Sequence, residues 1–105
     1  MQDCKVNILG TEYDITMNCD DEDRDGDANF YSKIIRICPL EKLLDKEATD
    51  TERKIREKHV ARHELFHSFL WEAGETELAY DEHLVDWLAT MTPKIFKVFQ
   101  ELDIL

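Results

Sequence analysis

The sequence predicts an α+β fold, in which a small antiparallel sheet of about three strands packs on two to three helices. Apolar and polar residues alternate in short runs within residues 4–38, which is the period of half-buried strands. From residue 49 onward, apolar residues recur every three or four positions, which is the period of helices. Because the strands precede the helices, we expect two layers within a single domain that spans residues 1–105.

A β-hairpin is predicted at the start of the chain. Residues 4–9 and 13–17 both alternate, and Gly10 lies between them. Residues 18–29 contain few apolar side chains and predict a solvated acidic loop. Within that loop, Asp21 to Asp27 has the spacing of the first half of an EF-hand loop, but Ser32 stands where the bidentate glutamate belongs. We therefore expect a solvated turn, with a weak cation site as the alternative.

A third strand is predicted at residues 30–38, with Ile35 and Ile37 on one face and Ile34 and Arg36 on the other. Pro39 ends this strand, because proline cannot donate a ladder hydrogen bond. A short helical turn is expected at residues 40–46.

A long helix is predicted to begin after Thr49, which forms a capping-box pattern with Glu52, and to close at Gly74. Its first part is strongly charged, whereas its second part is apolar nearly all round. We therefore expect the helix to enter the core at about His63. His59, one turn earlier, is expected to face solvent.

Two further helices are predicted. Thr76 can cap one at about residues 77–91, and Thr92-Pro93 has the pattern of an N-cap followed by proline at the first helical position. The large apolar side chains along the helices are expected in the core, and these include Phe66, Leu70, Trp71 and Trp87.

Composition and charge limit the possible functions. The formal net charge of −11 argues against nucleic-acid binding, which needs a basic patch, and permits a basic protein partner. The sequence contains no transmembrane run or signal peptide, so we expect a cytoplasmic protein without a membrane partner. Cys4, Cys19 and Cys38 are odd in number and widely spaced, which argues against a disulfide framework and is consistent with a reducing compartment.

The segment His63-Glu64-Leu65-Phe66-His67 carries the strongest functional signal. Residues four apart on a helix lie on one face, so His63 and His67 can hold one metal ion through their ring nitrogens. Zinc suits imidazole ligands and lowers the pKa of a bound water. Glu64 lies about 100° round the helix and can reach that water as a general base without being a ligand.

A catalytic zinc usually has a third protein ligand. The extended metzincin pattern is excluded, because Leu70 occupies its glycine position. The next helix supplies Glu82 and, four residues later on the same face, Asp86. One of these carboxylates can bind the metal, while the other can accept a hydrogen bond from the far nitrogen of a ligand histidine. Either Glu82 or Asp86 can thus be the third ligand, and His83 is a further alternative.

Together, the HExxH helix and the Glu82-x-x-x-Asp86 spacing resemble the gluzincin zinc metallopeptidases. The closer similarity is to the short ImmA/IrrE-like and minimal gluzincin peptidases, which phages and mobile elements often encode. The resemblance implies a minimal zincin-like core with one zinc ion. It also implies that His63, His67 and Glu82 are ligands, that Glu64 activates a zinc-bound water for peptide hydrolysis, and that Asp86 supports a ligand by a hydrogen bond without binding the metal.

The chain departs from the large gluzincins, because it lacks the C-terminal domain that supplies their transition-state histidines. The residues proposed to contact substrate or stabilise the oxyanion are His83, Tyr80 and Tyr31. Residues 30–37 form the proposed edge strand that pairs with an extended substrate. Activity is expected to be weak or highly specific, since no oxyanion donor is assigned.

Two functions are alternatives to a peptidase. One is a zinc-stabilised acidic module that binds a basic protein without turnover, and the other is an acidic interaction protein without metal.

Overall fold

The computed structural model describes residues 1–19 and 24–105, and in these ranges it confirms the α+β class. A four-stranded sheet packs against the first of two α-helices, and the second α-helix packs on the first. Short 3-10 turns lie at Leu40–Lys42 and Leu78–Tyr80. None of the described helices is long and apolar enough to cross a membrane. The elements are β1 Cys4–Ile8, β2 Thr11–Met17, β3 Gly26–Asn29, β4 Ile34–Ile37, α1 Asp50–Glu72 and α2 Glu82–Glu101.

The sheet is mixed rather than antiparallel, and its strand order is β1-β2-β4-β3. It consists of two hairpins side by side, since β1 pairs with β2 and β3 pairs with β4, each in antiparallel fashion. The second strand of each hairpin lies at the centre, so β2 and β4 run in the same direction and pair in parallel, with Ile15 opposite Ile35. The prediction of a small antiparallel sheet of three strands was therefore wrong in strand number and in this central pairing.

The predicted first hairpin is confirmed, with a tighter turn than expected. Ile8 pairs with Thr11, so only Leu9 and Gly10 connect the strands. Their φ angles are 50° and 98°, which is the left-handed conformation that a two-residue hairpin turn requires. Glycine adopts this conformation without steric cost.

The second hairpin differs from the sequence prediction. Residues 26–29, expected in the acidic loop, form β3, while residues 30–33 form the connecting turn. The side chain of Asn29 stabilises this turn, because its Oδ1 accepts hydrogen bonds from the backbone N–H groups of Tyr31 and Ser32. The predicted third strand at residues 30–38 is consequently shortened to β4, in which Ile35 and Ile37 are buried as expected.

A disulfide joins Cys19 and Cys38, contrary to the expectation of separate thiols. The two cysteines follow Met17 and Ile37, which are opposite one another in the parallel β2–β4 pair. The sequence alone could not show this proximity, because it depends on the pairing of the two hairpins. The number of cysteines therefore no longer supports a reducing compartment, and the cytoplasmic location stays a prediction.

The core lies between one face of the sheet and α1. Its buried members are Ile8, Tyr13, Ile15, Ile35, Ile37, Val60 and Ala61. The buried stripe of α1 continues through Glu64, His67 and Ser68, so polar side chains enter the protein interior on this helix. The aromatic side chains predicted in the core are less buried than expected, since Phe66 and Trp71 are half-buried and Trp87 is 49% exposed.

Both predicted ends of α1 are confirmed. Thr49 and Glu52 form a capping box, in which the Glu52 N–H donates to the Thr49 hydroxyl. At the other end Gly74 has a φ of 86°, and its N–H donates to the Trp71 carbonyl. The Glu75 N–H donates to the Leu70 carbonyl, which completes a Schellman motif.

The last turn of α1 is fixed to the sheet through Glu72. Its carboxylate accepts hydrogen bonds from the Tyr13 hydroxyl at 2.7 Å, the Lys33 ammonium at 2.9 Å and the Thr11 hydroxyl at 2.7 Å. These bonds, foremost the one from Tyr13, lower the pKa of Glu72 to about 2. A single carboxylate thereby joins α1 to β2 and to the turn between β3 and β4.

Asp81, rather than Thr76, caps the second helix. Its side chain accepts a hydrogen bond from the Leu84 N–H at 3.0 Å, and α2 begins at Glu82. Residues 78–80 form a 3-10 turn in place of the helix start predicted there. The later start places Glu82 and Asp86 in the first two turns of α2.

The predicted second and third helices are one continuous helix that passes through Pro93. Proline lacks the N–H that would bond the carbonyl four residues earlier, which here belongs to Ala89. The Arg62 side chain supplies the missing donor, since its Nε lies 2.7 Å from the Ala89 oxygen. This contact from α1 satisfies the carbonyl and explains how the helix continues through a residue that normally begins one.

Candidate metal centre

The two motif histidines project from one face of α1, as their spacing predicts. Their rings meet edge to face with centroids 4.9 Å apart, and their Nε2 atoms are separated by 3.2 Å. His67 is buried, whereas the His63 side chain is 19% exposed. The pair therefore lies at the border between the core and solvent.

Glu82, in the first turn of α2, completes a cluster with these histidines. Its Oε2 lies 3.0 Å from His63 Nε2, and its Oε1 lies 3.2 Å from His67 Nε2. One ligand atom from each of the three residues falls within 4.8 Å of the others. The Glu82 side chain is 72% exposed, so the cluster is open on the side of α2.

The far nitrogen of each histidine is held by a hydrogen-bond acceptor. His67 Nδ1 lies 2.5 Å from the Ala79 carbonyl oxygen, and His63 Nδ1 lies 3.3 Å from Asp86 Oδ1. A carbonyl can only accept, so Nδ1 of His67 carries a proton, and Nε2 is the ring nitrogen that faces the cluster. Asp86 is at the opposite end of the His63 ring from Glu82, where its hydrogen bond can orient the ring without taking a ligand position.

His59 forms a hydrogen bond with Asp86, the residue that faces His63. Its Nε2 lies 2.9 Å from the same Oδ1 of Asp86 that faces His63. The hydrogen bond from His59 is the main cause of the lowered pKa of Asp86. Its side chain is only 19% exposed, so the prediction of a solvent-facing residue was wrong. The spacing of residues 59, 63 and 67, one helical turn apart, was the signal for it.

The donors of His59, His63 and Asp86 also lie close enough together to form a second possible metal-binding group. It shares His63 with the first group and uses the opposite nitrogen of that ring. A neutral imidazole has only one lone pair, so one ring does not serve both groups at once. We therefore interpret the outer group as hydrogen-bonding support for the inner one.

Glu64 is buried beside the cluster, with only 6% of its surface exposed. Its Oε1 lies 3.8 Å from His63 Nε2. Burial, together with the negative charges of Glu82 and Asp27, raises the pKa of Glu64 to about 8, while Arg24 opposes this shift. The structure thus places the predicted general base within reach of the cluster and outside its ligand set.

Gly26 allows β3 to approach Glu64 closely. A Cβ atom at this position would lie 2.7 Å from the Arg36 carbonyl oxygen and 3.2 Å from Glu64 Cγ. The first of these contacts is too short for any other residue type. Glycine at the start of β3 therefore determines how closely the strand packs beside the site.

A cavity of about 550 Å³ surrounds the cluster. One wall is β3, the edge strand of the sheet next to α1, and the other wall comes from α1 and α2. Residues 30–37 were predicted to be the edge strand, but β4 lies inside the sheet between β2 and β3. The strand available for pairing beside the site is therefore β3.

The three predicted substrate or oxyanion residues do not all reach this cavity. Tyr80 belongs to its lining and is 61% exposed. Tyr31 is 81% exposed and contacts the Trp71 ring instead. Among the described residues that line the cavity, neither Tyr31 nor His83 is present. Tyr80 is thus the candidate that the geometry supports.

The half EF-hand pattern is only partly within the described residues, since Asp21 and Asp23 lie outside them. Asp25 accepts two hydrogen bonds from the Arg56 guanidinium, at 2.8 and 2.6 Å. Asp27 lies 3.5 Å from Arg36 Nη1. The two described carboxylates of the pattern are therefore paired with arginines.

The donor set fits a zinc ion, which favours two imidazole nitrogens and one carboxylate oxygen with an open fourth position. Possible ligand atoms of His63, His67 and Glu82 lie within 4.8 Å of one another, which is close enough for one cation to contact all three. No protein-family model, curated protein or solved structure matches this chain.

Proposed function

We propose that this protein is a single-domain zinc-dependent peptidase of the gluzincin type. The observation that carries the proposal is the convergence of His63, His67 and Glu82 beside the buried carboxyl of Glu64, within an open cavity. The ligands of one zinc ion would be these two imidazoles and the Glu82 carboxylate. Asp86 and the Ala79 carbonyl would hold the two imidazoles in the tautomer that binding requires.

A zinc ion held there would lower the pKa of water and polarise a peptide carbonyl. Glu64 supplies the proton transfer, since its carboxylate accepts a proton from the attacking water and delivers it to the leaving amine. Its burial keeps bulk water away from the carboxyl and raises its pKa, whereas the charge of a bound cation would oppose that rise, so the group could both take up and release a proton. Tyr80, which lines the cavity, would donate a hydrogen bond to the developing oxyanion.

The proposed substrate is an extended peptide segment. The exposed edge of β3, Gly26–Asn29, can pair with such a segment through backbone hydrogen bonds along one wall of the cavity. This pairing would bring a scissile carbonyl alongside the His63–His67–Glu82 cluster.

The zinc-stabilised binding module without turnover is less well supported. That function requires a protein side chain in the fourth ligand position, and Asp86 and His83 were the candidates. Asp86 instead bonds His59 and the far nitrogen of His63, and His83 is an exposed residue outside the described cavity lining. This arrangement favours an open catalytic site.

The test compares the parent protein with Glu64→Gln, using Glu77→Gln as the control because it makes the same chemical change at an exposed residue. Zinc content is measured by elemental analysis, and hydrolysis is measured by mass spectrometry on a diverse peptide library. We expect one zinc per chain in all three proteins and hydrolysis by the parent and Glu77→Gln alone. Unchanged cleavage by Glu64→Gln would refute the mechanism, and a parent protein that binds no zinc would refute the site.

A further inference from the structure

The apolar stripe of α2 extends beyond the part of the helix that α1 covers. In the first half of α2 the stripe is buried, and Val85 and Ala89 are both 0% exposed. In the second half, Phe96 is 48% exposed, and Leu102, which directly follows the last helical residue, is 64% exposed. Phe96 comes eleven residues after Val85 and so lies on the same face, which therefore changes from core to surface along the helix.

None of residues 93–105 is buried, although this segment is rich in large apolar side chains. The radius of gyration is 14.4 Å, compared with about 13 Å for a typical domain of this length. The second half of α2 thus presents a contiguous apolar surface, which in a soluble protein marks an interaction site. This surface, called the α2 stripe below, comprises Ile95, Phe96, Val98, Phe99 and Leu102.

The charge around the α2 stripe differs from that of the chain as a whole. Residues 93–105 contain two lysines, Lys94 and Lys97, and two acidic residues, Glu101 and Asp103, so their net charge is zero. The whole chain carries −11. Contact between two copies of the chain through this neutral segment adds no net repulsion of its own.

The order of these charges favours one orientation of a helix pair. Lys94 and Glu101 are seven residues apart, so they lie on the same flank of the α2 stripe. When two identical helices pair in antiparallel fashion about a two-fold axis, equivalent flanks face each other in reversed order. Lys94 of each copy then lies near Glu101 of the other. Parallel pairing would instead set this flank against the opposite flank of the other copy, where Pro93 and Gln100 lie, so that neither charge gains its partner.

We propose that the α2 stripe is the interface of an antiparallel homodimer, with a two-fold axis near residue 98. Burial of the five apolar side chains supplies the main stabilisation, and the two symmetric Lys94–Glu101 pairs fix the orientation. The interface lies on the half of α2 remote from Glu82, so dimerisation leaves the metal centre open. The proposal does not depend on the proposed peptidase activity.

The first experiment measures molar mass by light scattering and sedimentation, from about 1 to 100 μM in 0.15 M salt. We expect twice the chain mass of 12.4 kDa at the upper concentrations. Phe96→Glu should weaken association by at least about 100-fold, because each copy would bury an unpaired charge. Leu102→Glu is the second variant, and circular dichroism checks that both remain folded. A chain that stays monomeric throughout, or association that neither variant weakens, would overturn the proposal.

The second experiment tests the orientation by exchanging charges. Lys94→Glu and Glu101→Lys should each weaken association roughly tenfold, because each places two pairs of like charges across the interface. The double variant Lys94→Glu/Glu101→Lys should recover parental affinity in the antiparallel arrangement. Lys97→Glu is the matched control, since it makes the same charge change on the far side of the helix from Phe99. A double variant that does not recover parental affinity would refute the proposed geometry. So would a loss of affinity in Lys97→Glu as large as that in Lys94→Glu.

Discussion

Replacing Glu72 by glutamine should destabilise the protein in a way that depends on pH. The carboxylate accepts three hydrogen bonds, and its side chain is only 11% exposed. Its pKa falls from 4.5 to about 2 in the folded protein, which corresponds to about 3 kcal/mol at most. Because some solvent reaches the group, we expect a loss of about 1–2 kcal/mol in the free energy of unfolding at pH 7.

The pH dependence follows from the direction of this shift. The folded protein holds the Glu72 proton less tightly than the unfolded chain, so the contribution is fully present above about pH 5 and is lost as pH falls towards 2. Urea unfolding of the parent protein and of Glu72→Gln at pH 7 and pH 2.5 measures this contribution to the free energy of unfolding. The difference between the two proteins should shrink to less than half its value at the lower pH.

The control for this experiment is Glu75→Gln, which removes an exposed charge three residues further along the chain. It should change the free energy of unfolding by less than about 0.5 kcal/mol at either pH. A difference for Glu72→Gln that is equal at both pH values would refute the assignment of its effect to the ionised carboxylate.

Two further predictions concern the contacts between α1 and α2. Asp86→Asn should weaken zinc binding by about 10- to 100-fold, because it loses the carboxylate that orients His63, and competition with a chromophoric chelator measures this. Unchanged zinc affinity would remove Asp86 from the site. Arg62→Ala should cost about 1–3 kcal/mol, because the Ala89 carbonyl loses its donor. Much of this loss should disappear in the Pro93→Ala background, where the backbone N–H returns, and additive effects in thermal unfolding would contradict the assigned role of Arg62.

Much of the candidate site could be predicted from local patterns. The spacing of His63 and His67 places them on one helical face, and the capping box and Gly74 define the ends of that helix. The Glu82–Asp86 spacing likewise places both carboxylates on one face of α2. These relations lie within single helices, so the sequence alone determines them.

Relations between distant segments were harder to predict. Strand β3 has the composition of a loop, and it is a strand because its backbone pairs with β4. Pro93 normally begins a helix, and its place inside α2 depends on Arg62 from another element. The exposure of Trp87 depends on how much of α2 is covered by α1. In each case, tertiary contacts overrode a local preference.

The ligand cluster has a consequence for how the two helices remain together. His63 and His67 belong to α1, whereas Glu82 belongs to α2, and 19 residues separate His63 from Glu82. A cation held by all three would act as a cross-link that closes this loop. Binding of the cation would then stabilise the packed helices against local separation of α2 from α1. The stabilising free energy would rise with the logarithm of the cation concentration. The supply of metal would thus regulate how long the cavity keeps its shape, in addition to supplying its chemistry.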